Sequence, residues 1–177
     1  EGGLTTVTQS ADGLLTLLTN GKFQGNNSEQ GEMIAQKSIA LIPLLHTAQR
    51  DTALVIGYGT GMTPRVIHEN EFRSLDIAEL SEDMVRLADR HFENINHAVT
   101  SQPGVNTYYT DGRNFLLTQS KEYDLISIEI SSIWFAGAAN LYNKEFYELV
   151  ARRLTDEGVL QQWVQLHHMR TIDFLYI

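Results

Sequence analysis

Ala53-Leu54-Val55-Ile56-Gly57-Tyr58-Gly59-Thr60-Gly61 is a short apolar run that stops in three glycines at alternate positions. A run of four apolar residues bounded by glycine reads as a strand buried on both faces, the kind a parallel sheet requires. Glycine permits positive φ and lets backbone approach a ligand closely. A helix predicted over residues 63–69 brings its N-terminal N–H groups to the same spot. The segment is therefore a strand, a ligand-cradling turn and a helix.

The same unit repeats toward the C-terminus. Strands are predicted over 74–80, 105–109, 123–130 and 159–166, with helices between them. Ser81 and Asn143 start two of these helices, and Asp111-Gly112 opens a short one through 117. Residues 96–104 read as a polar loop and Gly158 as the end of a helical region. Repeated strand–helix units give an α/β fold: a Rossmann-like, doubly wound, mostly parallel sheet covered on both faces. Toward the N-terminus the pattern differs. Asp12-Gly13 and Asn20-Gly21 are turn pairs between short β-like runs, which predicts an N-terminal β-hairpin. Ser28 is the expected cap of a helix carrying Met33, Ile34, Ala40, Leu41 and Leu44, with Pro43 near its end. The expected division is a hairpin region over 1–27 and a nucleoside-binding domain over 28–177.

In open α/β sheets ligands bind at the carboxyl ends of the strands, and those ends carry chemistry here. Glu79 lies eighteen residues beyond Gly61, at the end of the second parallel strand. A carboxylate there accepts both hydroxyls of a ribose. Met62 stands where the dinucleotide fingerprint G-x-G-x-x-G has its third glycine, so the pattern resembles class I S-adenosylmethionine-dependent enzymes instead. Asp111 ends the third strand, positioned to accept from an adenine amino group or to cap the next helix, with Gly112 leaving room for the ring. Glu129, among Ile126, Ile128 and Ile130, ends the fourth. Desolvation there raises a carboxyl pKa and suits it as a proton acceptor.

The formal net charge is −9, with 13 Lys and Arg against 22 Asp and Glu. Phosphate binding needs clustered cations, so duplex nucleic acid is not expected as a partner. With no cysteine, thiolate nucleophiles, disulfides and Cys-ligated zinc are excluded. His167-His168 are adjacent on a predicted strand and point to opposite faces, so no metal site is expected. No run of about 18 apolar residues reads as a membrane-spanning helix. The chain starts Glu1-Gly2-Gly3 and ends Phe174-Leu175-Tyr176-Ile177. It reads as a cytoplasmic piece of a longer protein, with membrane attachment of the parent left open.

These residues together resemble the spermidine/spermine synthase (polyamine aminopropyltransferase) family. Asn20-Gly21-Lys22-Phe23-Gln24 is similar to its hairpin segment N-G-x-x-Q, which implies that Gln24 contacts the nucleoside. The likeness further assigns Gly57, Gly59, Thr60 and Gly61 to its glycine motif, Glu79 to its ribose acid, and Asp111-Gly112 to its adenine side. It implies S-adenosylmethionine or its decarboxylated form as co-substrate, a small amine acceptor and, through the hairpins, a homodimer. The departures fall on the amine side. Glu129 replaces the catalytic aspartate of the D-S-S-D motif, and Ser132 the second aspartate. Thr60 replaces an aspartate that holds the aminopropyl end. Gln30 and Gly31 stand where a tyrosine and a glutamine or histidine precede Glu32-Met33. Trp134 and Phe135 fall in a loop that closes over the substrate in the family, which makes them either an apolar lid or packing residues. The expected function is aminopropyl transfer to an amine. A methyltransferase and a catalytically degenerate nucleoside-binding module are the alternatives.

Overall fold

The computed structural model describes residues 3–130, 137–164 and 170–174. Strands β1 (Thr5–Gln9), β2 (Leu15–Thr19) and β3 (Lys22–Asn26) form an antiparallel meander, one strand more than a hairpin. Its turns are left-handed at Gly13, Asn20 and Gly21, as Asp-Gly and Asn-Gly pairs favour. The β2–β3 ladder is irregular. Leu17 faces Gly25 and Leu18 faces Phe23, so Gln24 faces no partner and forms a bulge.

The second sheet contains β4 (Thr52–Ile56), β5 (Ser74–Glu79), β6 (Val105–Tyr109), β7 (Tyr123–Ile128) and β8 (Leu154–Gln162). Its order is β6-β5-β4-β7-β8 and every pair is parallel. The chain moves from β4 outward to β6, then returns to the other side of β4 for β7. The order reverses between β4 and β7, which opens a crevice at their carboxyl ends.

Alternate residues of the central strand face opposite sides, as the period of a strand demands. Ala53 and Val55 join a core with Ala40 and Leu44 of α1 (Glu32–Leu44), Val66 and Ile67 of α2 (Met62–Glu69), and Val85 and Ala88 of α3 (Glu82–His91). Leu54 and Ile56 join a second core with Phe115 and Leu116 of α5 (Gly112–Thr118) and Phe146, Leu149 and Val150 of α6 (Lys144–Ala151). Leu17, fully buried, inserts the meander into the first core.

Three local expectations are corrected. Helix α1 is capped at Gly31 without a side-chain hydrogen bond. Ser28 contributes instead its carbonyl, which accepts from the N–H groups of Gly31 and Met33. Strand β8 begins at Leu154 and runs through Gly158, where a Cβ would stand 2.8 Å from the Tyr123 carbonyl oxygen. Gly158 thus lets an irregular strand lie against β7; it does not end a helix. The stretch read as a polar loop starts inside the short helix α4 (Glu93–Asn96) and includes a 3-10 turn, Val99–Ser101. Among the described residues no helix is long and apolar enough to cross a membrane.

Candidate active site

The glycine turn projects backbone, not side chains, into the crevice. Gly57, Gly59 and Gly61 have φ of 93°, 54° and 83°. The intervening Tyr58 and Thr60 turn inward and are 0% and 1% exposed. The Tyr58 hydroxyl donates to Asp89 of α3, and the Thr60 hydroxyl donates to Gln36 Oε1 at 2.6 Å. Asn96, fully buried, donates through Nδ2 to the carbonyls of Thr60 and Ala88, both at 3.1 Å. The turn is thereby fastened from behind to α1, α3 and α4.

A cavity of about 290 Å³ lies in front of it, with Gln24, Gly57, Gly59, Glu79, Asp111, Gly112 and Glu129 among its walls. Glu79 is 7% exposed and accepts from the N–H groups of Tyr58 and Ser81, each at 2.9 Å. Burial raises its pKa, partly offset by those backbone donors. Both oxygens are thus held in place beside the turn. Asp111 caps α5 by accepting from the Asn114 N–H at 2.9 Å, and it lines the cavity as well. Gly112 lines the cavity and also meets a packing demand. A Cβ there would lie 2.3 Å from Ile56 Cγ2, so glycine is needed for α5 to approach β4. Gln24 reaches the cavity from its bulge, a device that re-aims a side chain out of a regular ladder.

Glu129 is the first residue beyond β7, and its N–H donates to the Ile56 carbonyl at 2.9 Å. Its Oε1 is shut off from solvent and has no hydrogen-bond partner among the described residues. Burial pushes its pKa up to about 8, opposed by the Thr63 hydroxyl and assisted by the charges of Glu32 and Glu79. A Cβ at Gly59 would lie 3.6 Å from Glu129 Oε2, so this carboxyl hangs directly over the glycine turn.

The structure does not gather every expected site residue. Gln30 is exposed ahead of α1 and lies off the cavity wall, and so do Thr60 and Gly61, the latter capping α2. Ser132, Trp134, Phe135, His167 and His168 lie outside the described residues. Glu32 and Gln36, which the sequence reading left out of the site, do line it. Their spacing of four on one helix was a visible signal. Asn96 gave none, since nothing local shows that a polar side chain will be buried. Four carboxylates line the cavity, those of Glu32, Glu79, Asp111 and Glu129, and no Lys, Arg or His among the described residues does. No group of three His, Asp or Glu among the described residues is placed to hold a metal ion.

The parallel sheet and its order define an α/β domain of the class I methyltransferase-like type. A crystal structure of spermidine synthase with the transition-state analogue AdoDATO superposes with a TM-score of 0.76 at 20% identity, over 88% of this chain and 53% of that one. Human methyltransferase-like protein 13 in complex with SAH gives 0.53 at 23%, over 72% and 60%. Residues 32–174 match the spermine/spermidine synthase domain, and the chain belongs to that family. The polyamine aminopropyltransferase of Methanocaldococcus jannaschii is 29% identical over 147 residues, 82% of this chain and 49% of that protein. The chain thus spans about half the length of the curated relatives it matches.

Proposed function

We propose that the cavity binds decarboxylated S-adenosylmethionine and transfers its aminopropyl group to a small amine. The observation that carries this reading is the lining of four carboxylates without a described cation. A sulfonium with an ammonium tail is attracted by such walls. The carboxylate of S-adenosylmethionine itself would meet Glu129 over the glycine turn.

In this reading Glu79 accepts the ribose hydroxyls, Asp111 faces the adenine amino group, Gln24 closes the nucleoside from the meander, and the turn's backbone lies under the sulfonium side. The amine nitrogen attacks the CH2 beside the sulfonium sulfur. The C–N bond forms, the C–S bond breaks, and its electron pair returns to sulfur to release methylthioadenosine. Glu129, ionised, takes the proton the nitrogen sheds. Holding the two partners in line supplies the remainder of the acceleration.

Calorimetric titration with decarboxylated S-adenosylmethionine, S-adenosylmethionine and methylthioadenosine, together with mass-spectrometric detection of product from 1,4-diaminobutane, tests the reading. Tightest binding of the decarboxylated nucleoside with aminopropylated product supports it. Tighter binding of the carboxylated form favours methyl transfer, and binding without turnover favours a degenerate module. An acceptor amine, an assembly with a second copy and a cytoplasmic site of action belong to the same reading.

A further inference from the structure

Helix α1 sends two polar side chains into the cavity that the chemistry above leaves unused. Gln36 is 5% exposed and spans between two elements. Its Oε1 accepts the Thr60 hydroxyl at 2.6 Å, and its Nε2 donates to Glu32 Oε1 at 3.0 Å. Its carbonyl accepts the Thr63 hydroxyl at 3.1 Å. A Cβ at Gly25 would lie 2.9 Å from Nε2, so β3 packs over the amide and fixes it. An amide anchored at both ends holds the Glu32 carboxylate in one place.

That carboxylate shares the cavity with Glu129, whose buried Oε1 lacks a partner. The two are close enough for the charge on Glu32 to oppose ionisation of Glu129. Such a pair calls for a ligand that brings positive charge and N–H donors, since like charges in one desolvated pocket repel until a cation lies between them. Two of the described residues aligned with the family's amine-side positions do not fill this role. Gln30 is exposed in the turn before α1, and Thr60 is spent on Gln36.

We propose that Glu32, held by Gln36, determines acceptor specificity by binding the distal ammonium of a diamine whose reacting nitrogen lies at Glu129. Gln36 is the positioning residue. This rests on Glu129 as the base of the proposed transfer, and direct binding separates the two claims.

The purified protein, saturated with methylthioadenosine, is titrated with 1,4-diaminobutane and with 1-aminobutane by calorimetry, and the two amines are compared in turnover. Glu32→Gln is expected to weaken diamine binding at least about tenfold (about 1.4 kcal/mol) and to lower the diamine-to-monoamine ratio of kcat/KM similarly. Methylthioadenosine affinity stays at its original value, and Glu32→Asp restores part of the preference. Gln36→Leu is expected to act in the same direction, through KM rather than kcat. Diamine binding that depends on Glu32 without any turnover upholds the subsite and removes the transfer reading. Failure of the unaltered protein to bind the diamine, equal affinity for both amines, or loss of nucleoside affinity in Glu32→Gln overturns the proposal.

Discussion

Glu79 is buried and Glu129 has one carboxyl oxygen shut off from solvent, yet their surroundings assign them different work. Two backbone N–H groups hold Glu79, so its charge is partly compensated before any ligand arrives. Replacing it with alanine should weaken nucleoside binding at least about a hundredfold, since a charged hydrogen-bond acceptor and the order of the turn are lost together. Unchanged affinity in calorimetry would count against the site. Glu129 has no such support at Oε1, and burial pushes its pKa up to about 8. Its folded pKa lies above the ordinary 4.5, so the stability it contributes is complete below about 4.5 and is lost as the pH rises through about 8. Glu129→Gln should therefore stabilise the protein above that range, by up to about 5 kcal/mol, with little change at pH 4. Denaturant midpoints against pH measure this. If Glu129 is the base, the same variant also removes the rise of kcat/KM with pH through about 8 while sparing nucleoside affinity.

At the level of elements, the turn after β4 depends on what stands behind it. A Cβ at Gly61 would lie 2.6 Å from both the Tyr58 hydroxyl and Asn96 Cβ, at a φ of 83° that L-residues avoid. Gly61→Ala should cost about 3 kcal/mol in denaturant unfolding, from overpacking and backbone strain combined. The strand–turn–helix order was legible because β-branched runs, glycines and caps such as Ser81 act locally. The acids at the strand ends were legible because the fold fixes which edge binds. The early start of β8 and the role of Asn96 were not, because each is decided by a partner distant in the chain, and at the N-terminus of α1 a backbone carbonyl, which every residue carries, does what was expected of the Ser28 side chain. The packing demand at Gly112 was not legible either, since the atom that would crowd a Cβ there belongs to Ile56, far back in the chain.

For the molecule as a whole, a chain of net charge −9 presents a cavity lined by carboxylates. Affinity for a cationic nucleoside should fall about threefold to tenfold as salt is raised to about 0.5 M, less steeply than for an open surface, since buried charges are screened weakly. A salt-independent affinity would argue that the walls are protonated in the free state. The strand-end walls of the cavity belong to the parallel sheet, while the meander adds Gln24 from outside and is tied in by Leu17, whose truncation to alanine should cost about 2–5 kcal/mol. The extra residue in β3 has a paradoxical outcome built into it. Deleting Gln24 should let Leu17 and Leu18 pair with consecutive neighbours, giving a more regular ribbon that lacks one side chain of the cavity wall; if the cavity holds a nucleoside, its affinity should fall while the unfolding midpoint does not.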